Sequence, residues 1–432
     1  MHHSPRSSIL LPATLLALGG LLSACSVAPS APTSPQADAI AWQSCDGLVS
    51  QVAALYDVME TPSPLDGWGD RMQCANVSVP LDYDDPDGRQ ITIAVSRMVP
   101  EGRSAGTILT NPGGPGLEGR TTPALLAASG MGDLATDHTL IGIDIRGTGG
   151  STSINCDGSL DVPLPEGTVD ERVAVDYSVA VAAANEACVA QDPAYFAQLT
   201  TANAARDMDR VRAAIGADQV DYVGVSWGTE LGAAYLAQYP DRVRHMLLDS
   251  MVDLRHDAAM SLDDLVAADV AYGSDDEAGV ADDVVVDGLS SPDSYVPSNL
   301  TTRTALTCNA YTGATDPEAV WSAHLARSEA IGSDPQVRTQ HPLSGGIAGT
   351  SACAGWPIEA HPLVLTSGDA GDKLQIVAHA SETVTPAPWG TLAHALLGGN
   401  LTILDDAVHG SLANGDNAAE AVEYLRNGTP MS

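Results

Sequence analysis

Apolar residues along the chain keep two rhythms. From Gln90 to Val99 they alternate with polar ones, at the period of a half-buried strand. Gly106 to Thr110, Thr139 to Ile143, Gln219 to Val225, His245 to Asp249, Lys373 to His379 and Asn400 to Leu404 are instead short, nearly continuous apolar runs, the form of strands covered on both faces. Ala202 to Ile215 carries apolar residues at helical spacing and stops at Gly216, a suitable C-cap. Trp227 to Gln238, a segment near Trp389 to Leu397, and Ala418 to Arg426 read as further helices. Strands alternating with helices predict the α/β class: a mostly parallel central sheet with helices on both faces.

After Asp253 this rhythm breaks for about a hundred residues of acidic, Ser- and Pro-containing chain with no clear strand order. The sheet pattern then resumes, which predicts a cap inserted over residues 254–360 between core parts 41–253 and 361–432. The first 25 residues read as a processing signal: Arg6, an apolar run from Ile9 to Leu22, then small residues. Within it Leu22-Ser23-Ala24-Cys25 has the form of a lipobox, whose Cys25 would be acylated; an ordinary secretory signal with an incidental cysteine is the simpler alternative. Residues 26–40, rich in Pro, Ala and Ser, suit a tether. The expectation is an extracytoplasmic protein lipid-anchored to the cell membrane, or a secreted one if the lipobox is not used.

Composition narrows the picture. A 432-residue chain with 44% hydrophobic and 17% charged residues can bury a real core. Its 55 acidic against 19 basic residues, a formal charge of −36, exclude nucleic acid as an expected partner. Such a field could draw in cationic substrates such as a free peptide amino terminus, but a solvated acidic surface tuned for solubility explains it with nothing more and is the preferred reading. Setting Cys25 aside leaves six of seven cysteines, an even number that suits disulfides in an exported chain. Nearest-neighbour order suggests Cys45–Cys74, Cys156–Cys188 and Cys308–Cys353, one of fifteen possible pairings. No two cysteines stand at zinc-knuckle spacing, so no metal is expected.

The candidate chemistry centres on Gly224-Val-Ser226-Trp-Gly228, preceded by a strand and followed by a helix. In that context the glycines permit a sharp turn that exposes the serine oxygen, the nucleophile elbow of α/β-hydrolases; elsewhere the same five residues are only a turn. An alcohol needs a base, and of eleven histidines only His409 lies in the loop after the last strand. His379 and His394 fall inside a strand and a helix, as packed or solvated histidines would. Glu382, after the preceding strand, completes the order nucleophile, acid, histidine; Asp249, ending the strand after the elbow helix, is the rival acid or a cap to the lid. Asp405 and Asp406 read as loop solvation. The oxyanion donors would be the amides of Trp227 and of Gly114 in Asn111-Pro-Gly-Gly-Pro-Gly116, a loop that lacks the ending of a phosphate cradle. Glu230, one turn into the elbow helix, could receive a substrate ammonium or simply favour the helix N-terminus.

Taken together these residues resemble the tripeptidyl-aminopeptidase branch of the prolyl-iminopeptidase-like serine peptidases, which includes actinobacterial exported peptidases and proteins named as carboxylesterases. The likeness rests on Trp42-x-x-Cys45, Cys74 with Val79-Pro-Leu-Asp-Tyr83, Asn111 to Gly116, Asp144-x-Arg-Gly-Thr-Gly-x-Ser151, Thr200-Thr-x-x-Ala-Ala205 and the elbow. Cys308, Cys353-x-x-x-Pro357, Val384-Thr-Pro386, His409-Gly410 and Tyr424-Leu425 extend it over nearly the whole chain after the tether. It implies release of short peptides or single residues from free amino termini, with no metal or organic cofactor. Against that pattern Glu382 replaces a usual Asp, Trp227 a commoner Tyr, Ile145 a commoner Pro, and Glu118 a small residue; the cap is short and acidic. A carboxylesterase using the same triad, and a surface lipoprotein that binds peptides or partners without turnover, are the alternative expectations.

Overall fold

The computed structural model describes residues 40–45, 47–50, 71–165, 169–255, 299–330, 347–413 and 415–432, of which 326–330 and 348 are described in backbone only. The signal, Cys25 and nearly all of the tether lie outside these residues, as do much of the 254–360 insertion and its boundary with the core.

The described residues form a nine-stranded sheet in the order β1-β2-β3-β5-β4-β6-β7-β8-β9. The strands are β1 (Gln43–Ser44), β2 (Met72–Pro80), β3 (Gln90–Met98), β4 (Thr107–Asn111), β5 (Thr139–Ile143), β6 (Val220–Val225), β7 (Val243–Asp249), β8 (Leu374–His379) and β9 (Asn400–Leu404). From β5 to β9 every neighbouring pair is parallel, whereas β1, β2 and β3 join as an antiparallel edge. The apolar runs therefore lie in the parallel part, as their two-sided hydrophobicity requires. β2 has no counterpart in the expected elements, because Met72–Pro80 interleaves polar residues into a pattern that only pairing with β3 resolves.

Side chains of successive strand residues point to opposite faces, and this sorts the core into two layers. On one face Leu109, Ile141, Tyr222, Leu248 and Ile376 pack with the helices Thr201–Ala214, Trp227–Gln238 and Ala387–Leu397. On the other, Ile108, Leu140, Val223, Leu247 and Val377 meet the helices Thr122–Ala128 and Ala418–Asn427. The strand order reverses at β4, which is flanked by β5 and β6, so the loops leaving β4 and β6 diverge around a crevice at the carboxyl edge of the sheet.

A third, small core holds Ala174, Val181, Ala182, Val320, Trp321 and Ala354. It joins the helices Pro317–Ala330 and Ile347–Ser351 of the insertion to Glu171–Val189, a helix between β5 and β6 that the sequence pattern leaves unassigned. That helix is started by Asp170, whose side chain accepts from the Val173 amide. The layer beside the sheet thus draws on two chain segments, not on residues 254–360 alone. Disulfides Cys45–Cys74, Cys156–Cys188 and Cys308–Cys353 form in the nearest-neighbour pairing. The last closes 45 residues of the insertion.

Two of the motifs noted above, Val79 to Tyr83 and Asp144 to Ser151, meet the helix Thr201–Ala214 in one buried knot. The Arg146 guanidinium donates to Asp207 Oδ1 and Oδ2 at 2.8 and 2.7 Å and to the carbonyls of Leu81, Gln198 and Pro80, while Tyr83 donates to Asp207 Oδ1. Arg146 and Asp207 are both fully enclosed. Removing one partner strands the other charge, so Asp207→Ala is expected to lower stability by about 3–5 kcal/mol and Asp207→Asn by less. Urea unfolding of the two variants beside the parent measures both.

Candidate active site

At the end of β6 the chain turns sharply into the helix Trp227–Gln238, and Ser226 at the turn has φ 56° and ψ −128°, a conformation L-residues rarely adopt. Crowding explains the flanking glycines. A Cβ on Gly224 would lie 2.4 Å from the Gly228 carbonyl oxygen, and one on Gly228 would lie 2.7 Å from the Asn111 carbonyl oxygen. The turn is held by hydrogen bonds from the Ser226 amide to the Asp249 carbonyl and from the Thr229 amide and hydroxyl to the Ser226 carbonyl.

The loop after β4 lies against this turn. Gly113, at φ +101°, has no room for a side chain: its Cβ would stand 2.8 Å from Ser226 Cβ and 3.3 Å from the Trp227 amide nitrogen. The Gly113 amide donates to Asn111 Oδ1 at 3.0 Å, so it is already engaged, and Gly114 is the next residue of the loop.

Glu382 and His409 come together after β8 and β9, both buried, with His409 Nδ1 hydrogen-bonded to Glu382 Oε1. The same oxygen accepts from the amide and hydroxyl of Thr385 at 3.0 and 2.6 Å, which gives the Val384-Thr-Pro386 motif a task. The other carboxylate oxygen accepts from Ser250 Oγ at 3.2 Å. Ser250 in turn receives the Gly410 amide at 2.8 Å and itself has a positive φ of 58°. It thus ties the acid to the loop of His409. Sequence reasoning passed over Ser250; its one signal is a polar residue directly after Asp249, where an apolar strand ends.

The rival acid, Asp249, is committed elsewhere. Its Oδ1 lies 2.8 Å from His379 Nε2, its Oδ2 accepts the Leu412 amide, and His379 Nδ1 lies 2.7 Å from Asp406 Oδ1. Asp406 also accepts from the Val408 amide and the Ser411 hydroxyl, so the reading of Asp406 as loop solvation is corrected: it anchors the loop that carries His409. Asp405 remains exposed. Glu230 is also redefined. It is buried and accepts from Thr201 Oγ1 at 2.8 Å, linking the two helices on this face. Glu118 is half-buried beside the 144–151 loop, and burial, then the charge of Asp144, raises its carboxyl above the usual range against the opposing effect of Arg120. Among the described residues no cluster of three or more His, Cys, Asp or Glu is arranged to hold a metal ion.

The model of the α/β-hydrolase fold matches residues 106–283. The sheet order and the sharp turn at Ser226 are those of the α/β-hydrolase fold. Among named relatives it is similar to tripeptidyl aminopeptidase of Streptomyces coelicolor, 36% identical over 43% of this chain and 36% of that protein. It is likewise similar to serine protease Hip1 of Mycobacterium tuberculosis, 35% identical over 42% of this chain and 36% of that one. Carboxylesterase B of the same organism is 33% identical over 58% of this chain and 48% of that protein. These matches span between a third and a half of the relatives' own lengths.

The His379 network makes a pH prediction. Burial pulls the imidazole pKa down, but the hydrogen bond and charge of Asp249, with the charges of Glu382 and Asp406, more than reverse this and raise it to about 9. A folded pKa above the unfolded value of 6.5 means the stabilisation is complete below the unfolded value and is lost as pH rises through about 9. Thermal unfolding between about pH 7 and 10 should therefore show a melting temperature that falls with pH in the parent and is flatter in His379→Gln, which starts lower by several degrees.

Proposed function

We propose that the protein is an exported serine peptidase that removes short peptides or residues from free amino termini through Ser226, His409 and Glu382. The observation that carries this reading is the buried Glu382–His409 pair on the carboxyl edge of the sheet where the elbow presents Ser226. Ser226 Oγ attacks the scissile carbonyl as His409 Nε2 takes its proton, and His409 then returns that proton to the leaving amine. Glu382 holds the other ring nitrogen and stabilises the imidazolium, supported by Thr385 and Ser250. The Trp227 amide, at the N-terminus of the elbow helix, and the Gly114 amide receive the oxyanion. Water cleaves the acyl-enzyme by the reverse proton route. The peptide substrate is inferred from the similarity to tripeptidyl aminopeptidase, and export with lipid attachment at Cys25 from the N-terminal pattern.

A carboxylesterase is the second reading. The match to carboxylesterase B covers a larger share of this chain, and Glu230, the candidate ammonium receptor, is engaged by Thr201.

Labelling by a fluorophosphonate probe should occur in the parent and vanish in Ser226→Ala. Absence of labelling in the folded parent would mean a non-catalytic binding protein. Glu382→Gln is expected to lower kcat by about 10³–10⁴, because it fails to hold the imidazolium. Free and N-acetylated peptide amides, assayed beside simple acyl esters, separate the readings: cleavage confined to free amino termini supports the peptidase, and turnover of esters alone refutes it.

A further inference from the structure

Besides the Glu382–His409 pair, the carboxyl edge of the sheet carries a second histidine that the proposed reaction leaves unused. His379 ends β8 and is fully buried. Its Nε2 lies 2.8 Å from Asp249 Oδ1 and its Nδ1 lies 2.7 Å from Asp406 Oδ1. A neutral imidazole carries one hydrogen, so one of the two nitrogens would turn a lone pair toward a carboxylate oxygen. Only the imidazolium donates to both. The carboxylates are also held from other sides: Asp249 Oδ2 accepts the Leu412 amide, Asp406 Oδ2 the Ser411 hydroxyl, and Asp406 Oδ1 the Val408 amide.

Each of these carboxylates belongs to a segment that carries the triad. The Asp249 carbonyl accepts the Ser226 amide at 3.0 Å, and the next residue, Ser250, spans Glu382 and the Gly410 amide. Asp406 lies in the loop that leads to His409, and its carbonyl accepts the amide of Ser381, directly before Glu382. Among the described residues the charges acting on His379 are those of Asp249 on β7, Asp406 after β9 and Glu382 after β8, all negative. Ser411 Oγ, 3.3 Å from Nδ1, is a neutral hydroxyl, and His409 is joined to Glu382, not to this ring. Loss of the His379 proton would leave three carboxylates around a neutral imidazole, with one lone pair set against another. The loop after β9 is the segment that such repulsion displaces, because Asp406 is partly exposed whereas Asp249 is enclosed between strands.

We infer that His379 is a positioning residue whose positive charge holds the His409 loop in register with the elbow, so that hydrolysis is switched off by loss of a proton that takes no part in the chemistry. The inference rests on Ser226 and His409 acting as in the proposed reaction. It adds a regulatory proton to that reading. The raised pKa of His379, about 9, sets where the switch falls: the charged, active arrangement below it and the displaced loop above it.

The rate of inactivation by a fluorophosphonate probe without ionisable groups reads the triad with no substrate amine to titrate. From about pH 8 to 10 that rate should fall about tenfold or more in the parent, as small misplacements of a catalytic group do, and recover when the pH is returned. Far-UV circular dichroism should stay unchanged over the same range. His379→Gln should react at the lower pH about as slowly as the parent does at the higher, without an alkaline fall. Asp249→Asn can donate its amide hydrogen to Nε2 while its oxygen keeps the Leu412 amide, which satisfies a neutral ring; this variant should keep most of the parent's rate and hold it at the higher pH. A parent rate that does not fall, a fall that persists in Asp249→Asn, or a fall that coincides with loss of helical signal overturns the inference. Nitrogen NMR of histidine-labelled protein, with the His379 signals assigned by their loss in His379→Gln, should show both ring N–H groups near neutral pH; a neutral ring there also overturns it. A folded parent unlabelled at every pH fails the hydrolase reading and this inference with it, whereas labelling without the alkaline fall fails the inference alone.

Discussion

The structure depends most on the crowding around Ser226. A residue held in a sparsely populated backbone conformation costs about 1–3 kcal/mol and persists only where its surroundings leave no alternative. Here Gly224, Gly228 and Gly113 approach so closely that none can carry a side chain, and the Ser226 amide and carbonyl are both bound. The strain is accepted because the sheet order places the loops after β4 and β6 on either side of one crevice. The same close packing that exposes the serine oxygen sets the Trp227 amide beside the glycine loop.

A second bent point, Ser250 after β7, does for the acid and histidine what the elbow does for the serine. Its amide is taken by the Val377 carbonyl and its hydroxyl spans Glu382 and the Gly410 amide. Beneath it, His379 bridges Asp249 and Asp406. Two histidine–carboxylate systems therefore share one edge of the sheet, and their division of labour follows from position. His409 meets Glu382 in the loop after β9, while His379, at the end of β8 next to that edge strand, braces the same loop. A buried network of this kind stays favourable only while every member is satisfied, which couples loop placement to the charge on His379.

The helical layer beside the sheet has a different logic. Its small core is assembled from two separated chain segments, and the helix Leu300–Ala310 is stitched to the loops after β4 and β5 through Gly116 and Gly147.

Much of this was legible in the chain itself. Apolar runs marked the parallel strands, because strands covered on both faces must be apolar throughout, and the order Ser226, Glu382, His409 followed from where loops end such strands. The nearest-neighbour cysteine pairing was also readable. What sequence could not decide were matters of partnership across distance: β2 becomes a strand only against β3, Glu171–Val189 acquires its apolar face only against the insertion, and Asp249, Asp406, Glu230 and Ser250 take their roles from groups up to 163 residues away. Local periodicity records which residues must be buried. Which carboxylate meets which histidine, Glu382 with His409 and Asp249 with His379, is decided by packing between segments far apart in the chain.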